Sequence, residues 1–151
     1  SSNMSLDVFY FNSIAKRWYE RLGFEIESST AWWSIPLNSG GCAALGKISG
    51  LAHANVCQRE FGFSQFSLQT SSNTYRIGRL GSDWFRVLEA KLLKDTEALS
   101  TLQELDPKRK LLGLFPETQE VQKIESASHL CRSARMTTSL DSLIEGLNPN
   151  S

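Results

Sequence analysis

The stretch Leu6 to Leu37, LDVFYFNSIAKRWYERLGFEIESSTAWWSIPL, constrains the fold more than any other part of the chain. LDVFYF is β-branched and aromatic, as are FEIES and AWWSIPL, and such side chains pack well on a pleated surface. From Asn12 to Leu22, large apolar residues recur at Ile14, Trp18 and Leu22, with Ala15 and Tyr19 beside them, while Lys16, Arg17, Glu20 and Arg21 fill the other side. That period predicts a short amphipathic helix with Ile14, Trp18 and Leu22 turned to a core. Asn12 or Ser13 supplies the cap, because a short side-chain oxygen accepts from an otherwise unpaired first-turn N–H. Gly23 ends the helix, since glycine takes the left-handed C′ conformation without penalty. Ser28-Ser29-Thr30 reads as a break between two extended segments. A β-α-β unit follows, with Trp32 and Trp33 on opposite faces of its second half.

At 151 residues the chain fits one domain of ordinary size and can bury a core. Sixteen basic residues balance sixteen acidic ones, so no global field draws it to nucleic acid or anionic lipid. No apolar run approaches the roughly 18 residues that a membrane span needs, and SSNMSL has neither the basic start nor the apolar centre of a signal peptide. A cytoplasmic protein is the expectation. Cys42, Cys57 and Cys131 lie far apart without a C-x-x-C pair, and Cys42 and Cys57 read as buried thiols. His53 and His129 are isolated in sequence from any companion at ligand spacing, so neither a metal site nor a histidine-based triad is expected.

Asn38-Ser39-Gly40-Gly41 is a turn by composition, and CAALGKI after it reads as a strand. Leu51, Ala54, Val56, Cys57 and Phe61 suit a helix that stops at Gly62. Phe63, Phe66 and Leu68 begin a strand, with Thr74 to Leu80 returning as its hairpin partner. ANVCQREFGF, Ala54 to Phe63, aligns with AKRWYERLGF, Ala15 to Phe24, at an offset of 39 residues, a candidate duplicated helix-GF-strand unit. Arg76 and Arg79 read as solvated strand residues.

From Gly81 the character changes. Gly81-Ser82-Asp83 is expected to cap a helix from Trp84 to about Leu105, and Leu111 to Phe115 to tuck against the core as a strand or buried turn. Glu117 to Arg135 is expected to be helical, Met136-Thr137-Thr138 to break it, and Ser139 or Asp141 to cap a last helix from Leu140 to Leu147 before a frayed end at Asn148 to Ser151. The chain thus divides into a strand-rich region, 1–81, and a helical region, 82–151, packed on it. The fold class is α+β, with a mixed or antiparallel sheet.

The pattern Leu6-x-Val8-x-x-x-Asn12-x-x-Ala15-x-x-x-Tyr19-x-x-x-Gly23-Phe24 resembles the last β-α-β segment of the GNAT acyltransferases, which move an acetyl group from acetyl-coenzyme A (acetyl-CoA) to an amine. The resemblance implies a splayed strand pair that admits the pantetheine arm, Asn12 and Ala15 as cofactor contacts, and Tyr19 as the general acid. A phenol of pKa about 10 is protonated at neutral pH and can give its proton to a departing thiolate. The family's Gln/Arg-x-x-Gly-x-Gly/Ala loop, which binds pyrophosphate at a helix N-terminus, has no match of the right spacing in this chain. The resemblance therefore predicts an N-terminal segment upstream of Met4 that carries the loop, or a second copy of the chain that completes the fold as a homo-oligomer. The same stretch, continued through Gly40-Gly41 and Cys42 to Ile48, also resembles a βαβββ module of the vicinal oxygen chelate family. Enzymes of that family hold a divalent metal with His, Gln or Glu on the first and last strands; those strands here offer no His or Glu, which leaves a metal-free cup. The corresponding non-catalytic expectation is a module in which Trp18, Trp32, Trp33 and nearby aromatics line a small-ligand cup or a protein interface.

Overall fold

A computed structural model describes residues 2–38, 44–118 and 126–147. Eight strands and four helices follow one another as β1 (Asn3–Phe9), α1 (Ser13–Arg21), β2 (Glu25–Ile35), β3 (Lys47–Ser49), α2 (Leu51–Phe61), β4 (Phe63–Gln69), β5 (Thr74–Leu80), β6 (Trp84–Val87), α3 (Thr96–Leu105), β7 (Lys110–Pro116), β8 (Ser128–Ser139) and α4 (Leu140–Leu147). A short 3-10 turn, Ala90–Lys94, precedes α3. The class is α+β, and hydrogen-bonded neighbours run β1-β8-β2-β7-β6-β5-β4-β3. The β6/β7 pair is parallel, whereas β1/β8, β3/β4, β4/β5 and β5/β6 are antiparallel.

The chain forms two compact units. The first comprises Ser1–Trp32, Pro116–Thr118 and Leu130–Ser151. Here β1 runs against β8 in the register Asn3↔Ser139 to Phe9↔Ser133. Val8, Phe24, Ala134 and Met136 form the buried centre, and Ala15, Tyr19 and Leu22 of the α1 segment pack on it with Leu143 of α4. Asn12 caps α1 by accepting from the Ala15 N–H, and Gly23, at φ +92°, ends it. Ser139 caps α4 in the same way, its hydroxyl accepting from the Ser142 N–H at 3.1 Å.

The second unit, Trp33–Phe115 with Gln119–His129, has its own core, centred on Phe66, Leu68, Ile77, Phe85, Leu102, Leu111 and Phe115. Its polar groups are tied in pairs and triads. Asp95 caps α3 and accepts from the hydroxyls of Thr70 and Tyr75, each at 2.8 Å. Arg79 is buried, donating from Nε to the Ser64 hydroxyl and from Nη2 to Asn55 Oδ1, with its guanidinium over the Phe66 ring.

Several expectations need correction. Ser28-Ser29-Thr30 does not interrupt the second strand, because β2 is continuous. Residues 84–105 are not one helix but a strand, a 3-10 turn and a shorter helix. Trp84–Val87 pairs with β5 on one side and β7 on the other, so sheet hydrogen bonding overrides the near-helical leucine spacing. Of the expected helix from Glu117 to Arg135, residues 119–125 lie outside the described residues and 128–135 belong to β8. There Ala134, Met136 and Thr138 are buried on alternate positions, the strand period rather than the helical one, and Met136-Thr137-Thr138 continues β8 instead of breaking it. The region after residue 81 therefore carries β6, β7 and β8 as well as helices. Gly81-Ser82-Asp83 turns the chain from β5 into β6 rather than capping a helix. Arg79 is not solvated, although Arg76, on the other face of β5, is exposed. The turn at Ser39-Gly40-Gly41, Cys42 and the end at Asn148 to Ser151 lie outside the described residues.

Candidate functional site

The α1 helix is oriented differently from the reading of its apolar stripe. Ile14 and Trp18, expected in the core, are 83% and 55% exposed, and Phe11, just before the helix, is 75% exposed. The face that packs inward is Ala15, Tyr19 and Leu22. Both stripes have helical spacing and both are apolar, so the period alone does not say which one turns inward. Ala15, Tyr19 and Leu22 rest on the cluster of Val8, Phe24, Ala134 and Met136, and Ile14 and Trp18 turn outward.

The residues named for acyl transfer lie as follows. Asn12 Oδ1 is engaged as the helix cap, accepting from the Ala15 N–H at 3.3 Å. Tyr19 is half-buried, its ring 5.6 Å from that of Phe24 in an edge-on contact and 5.3 Å from that of Trp18. Asn12 and Ala15 border a shallow hollow of about 390 Å³ together with Ile14, Arg17, Trp18 and Arg21. Tyr19 is not among the residues that border it. In strand order β8 stands between β1 and β2, the two strands that α1 connects.

The rim of the hollow is basic. Lys16 is paired with Glu20 one turn on, at 2.8 Å, whereas Arg17 and Arg21 make no ion pair among the described residues. Two guanidinium groups thus border the hollow together with an exposed isoleucine and tryptophan.

Elsewhere in the same unit the aromatics are anchored. Trp32 donates from Nε1 to the Ser133 hydroxyl at 3.0 Å, and Tyr10 shares a 2.7 Å hydrogen bond with Ser29. The Arg132 guanidinium lies 4.1 Å from the centre of the Tyr10 ring and pairs with Glu117. In the second unit Trp33 is buried, with the His129 ring edge-on at 5.1 Å. Cys57, expected to be a buried thiol, is only half-buried, and His53 is not isolated: its Nε2 lies 3.6 Å from the Cys57 sulfur, one helical turn away. Burial pushes the Cys131 thiol up. Among the described residues, no three His, Cys, Asp or Glu side chains gather as metal ligands, and no helix is long and apolar enough to cross a membrane.

No family model matches the chain, and no curated protein does. Among solved structures, it is similar to a functionally unknown conserved protein from Staphylococcus epidermidis, with a TM-score of 0.51 at 7% identity, covering 91% of this chain and 73% of that one. At that identity the likeness is one of fold.

Proposed function

We propose that the protein is a non-catalytic interaction module and that the outer face of α1 is where a partner protein docks. One observation carries this reading: Ile14 and Trp18, at four-residue spacing on one face of α1, and Phe11 just before the helix are all more than half exposed, while Ala15, Tyr19 and Leu22 pack on the core. Large apolar groups gathered in this way and rimmed by charge are characteristic of protein interfaces, where aromatic and arginine side chains supply most of the binding energy. With Arg17 and Arg21 at the rim and in no ion pair among the described residues, the fitting partner is a surface with an apolar anchor and acidic flanks.

The acyltransferase reading asks that Tyr19 face a thioester. The docking reading is favoured because Tyr19 packs inward, Asn12 is used as a cap, and the hollow beside α1 is bordered by Trp18 instead. A photo-crosslinking amino acid placed at Ile14, with another at exposed Arg59 of α2 as control, tests the proposal in cells. A discrete adduct with a different, acidic protein is expected at position 14 and not at 59, and should disappear when Trp18→Glu is added. An adduct only with a second copy of the chain, or none at all, would overturn it. Calorimetric titration with acetyl-CoA separates the two readings: the docking reading expects no heat at millimolar ligand, and saturable heat together with acetyl transfer to an amine that Tyr19→Phe abolishes would restore the acyltransferase.

A further inference from the structure

The second unit carries a groove of about 600 Å³ between α2 and the flank of β4. The flank is open because β3 is short. Its last residue, Ser49, pairs with Ser67, so the first half of β4 has a neighbouring strand only on the β5 side.

The direction of the backbone groups follows from the ladder. Gly81 donates its N–H to the Gly62 carbonyl and Thr70 donates to the Asn73 carbonyl, which fixes the alternation of the β4/β5 pair. In an antiparallel ladder directly bonded pairs recur at every second residue, so Ser64, Phe66 and Leu68 turn their N–H and C=O to β5. Phe63 and Gln65 turn theirs the other way, toward the place β3 would occupy had it continued. Among the described residues these groups have no backbone partner, and an unpaired strand edge is a template for another strand.

The side chains around the opening give it a chemical preference. Along α2, His53, Cys57 and Phe61 form a stripe at four-residue spacing that faces the groove. Phe63 and Gln65 line it from β4, and Arg76 lines it from β5. Arg76 is exposed, donates only to Gln65 Oε1 at 3.3 Å, and makes no ion pair among the described residues. Among the described residues, no Asp or Glu borders the groove.

We propose that this groove binds an extended peptide segment of another protein, which adds to β4 as a strand in line with β3 and carries an acidic side chain for Arg76. Main-chain hydrogen bonds to Phe63 and Gln65 hold the peptide, and alternate side chains are sorted to the two faces. The residue opposite Gln65 shares the face of Gln65 and Arg76, so this is the acidic one. Its two neighbours turn to the α2 side, where Cys57 and Phe61 offer apolar contact. The recognised pattern is apolar, acidic, apolar.

The test is an NMR titration of the full chain with a blocked synthetic peptide containing valine-glutamate-valine between threonines. Two control peptides replace the glutamate by lysine or N-methylate alternate amides. The amide signals of Phe63 and Gln65 should shift and gain protection from hydrogen exchange. The lysine peptide, and the glutamate peptide on Arg76→Glu, should each bind at least about tenfold more weakly, and pairing the lysine peptide with Arg76→Glu should recover affinity. Should that variant fail to fold, the charge swap in the peptide against the unaltered protein decides alone. Equal binding of the N-methylated peptide, shifts confined to other elements, or no shift at millimolar peptide would overturn the proposal.

Discussion

Trp18 and Tyr19 are adjacent in the chain and opposite in role. Trp18 is mostly exposed, whereas Tyr19 packs on Phe24 and the Val8 cluster. Trp18→Glu should therefore change stability by no more than about 0.5 kcal/mol while abolishing docking, and Tyr19→Ala should cost about 2 kcal/mol in chemical denaturation. The reverse result would place the working face of α1 inward. Asp95 offers a second test at this scale. Burial alone would push its carboxyl up, but hydrogen bonds from Thr70 and Tyr75 and from the N–H groups of Ala98 and Glu97 outweigh it and hold the carboxyl below its usual range. The Tyr75 hydroxyl is pushed up, by burial first and by its bond to Asp95 second. A carboxyl depressed by folding adds stability above its unfolded value of about 4, and that stability is lost as pH falls through the lower, folded value. Denaturation of the wild type between neutral and acid pH should show this loss. Asp95→Asn should be less stable by about 1–3 kcal/mol at neutral pH, since the Thr70 and Tyr75 hydroxyls share Oδ2 as acceptor and the Ala98 N–H uses Oδ1, and an amide keeps only one of the two oxygens; it should also have a flatter acid limb.

Elements whose signal is local were legible in the sequence. The α1 and α2 helices, their glycine stops and the β4/β5 hairpin all lie where short-range rules put them: Gly23 and Gly62 both have positive φ and both hand the chain to a phenylalanine and a strand. The similarity of the two stretches ends at packing, because Phe24 is buried and Phe63 is exposed. What was not legible depended on a remote partner. Trp84–Val87 is a strand because β5 and β7 flank it, and two of the four buried residues that α1 packs on, Ala134 and Met136, come from β8, more than a hundred positions away. The groove beside β4 was equally hidden, since nothing local says where β3 stops relative to its neighbour. β7 contains a position where packing leaves no slack. A methyl group on Gly113 would run into Cε2 of Phe115, a ring with no exposure of its own. Gly113→Ala should accordingly cost about 1–3 kcal/mol in thermal unfolding, whereas Gly46→Ala presses on backbone and should be at least as damaging. An unchanged melting temperature for Gly113→Ala would mean that β7 yields more easily than its burial implies.

For the molecule as a whole, the class was readable and the connectivity was not. Alternating and helical periods in one chain announce an α+β fold, but nothing in β1 announces that its partner is β8, joined to it by the Asp7–Arg135 pair 128 residues apart. The same distance separated the sequence reading from the candidate site, because the α1 face is set by the β1/β8 layer beneath it. That pairing has a consequence for biosynthesis. At translation rates of roughly 5–20 residues per second, β1 emerges from the ribosome several seconds before its ladder partner exists, and until then its hydrogen-bonding edge and the underside of α1 have nothing native to rest on. The nascent chain must carry that half-made layer, shielded by chaperones or by its own transient collapse, until the last strand is released.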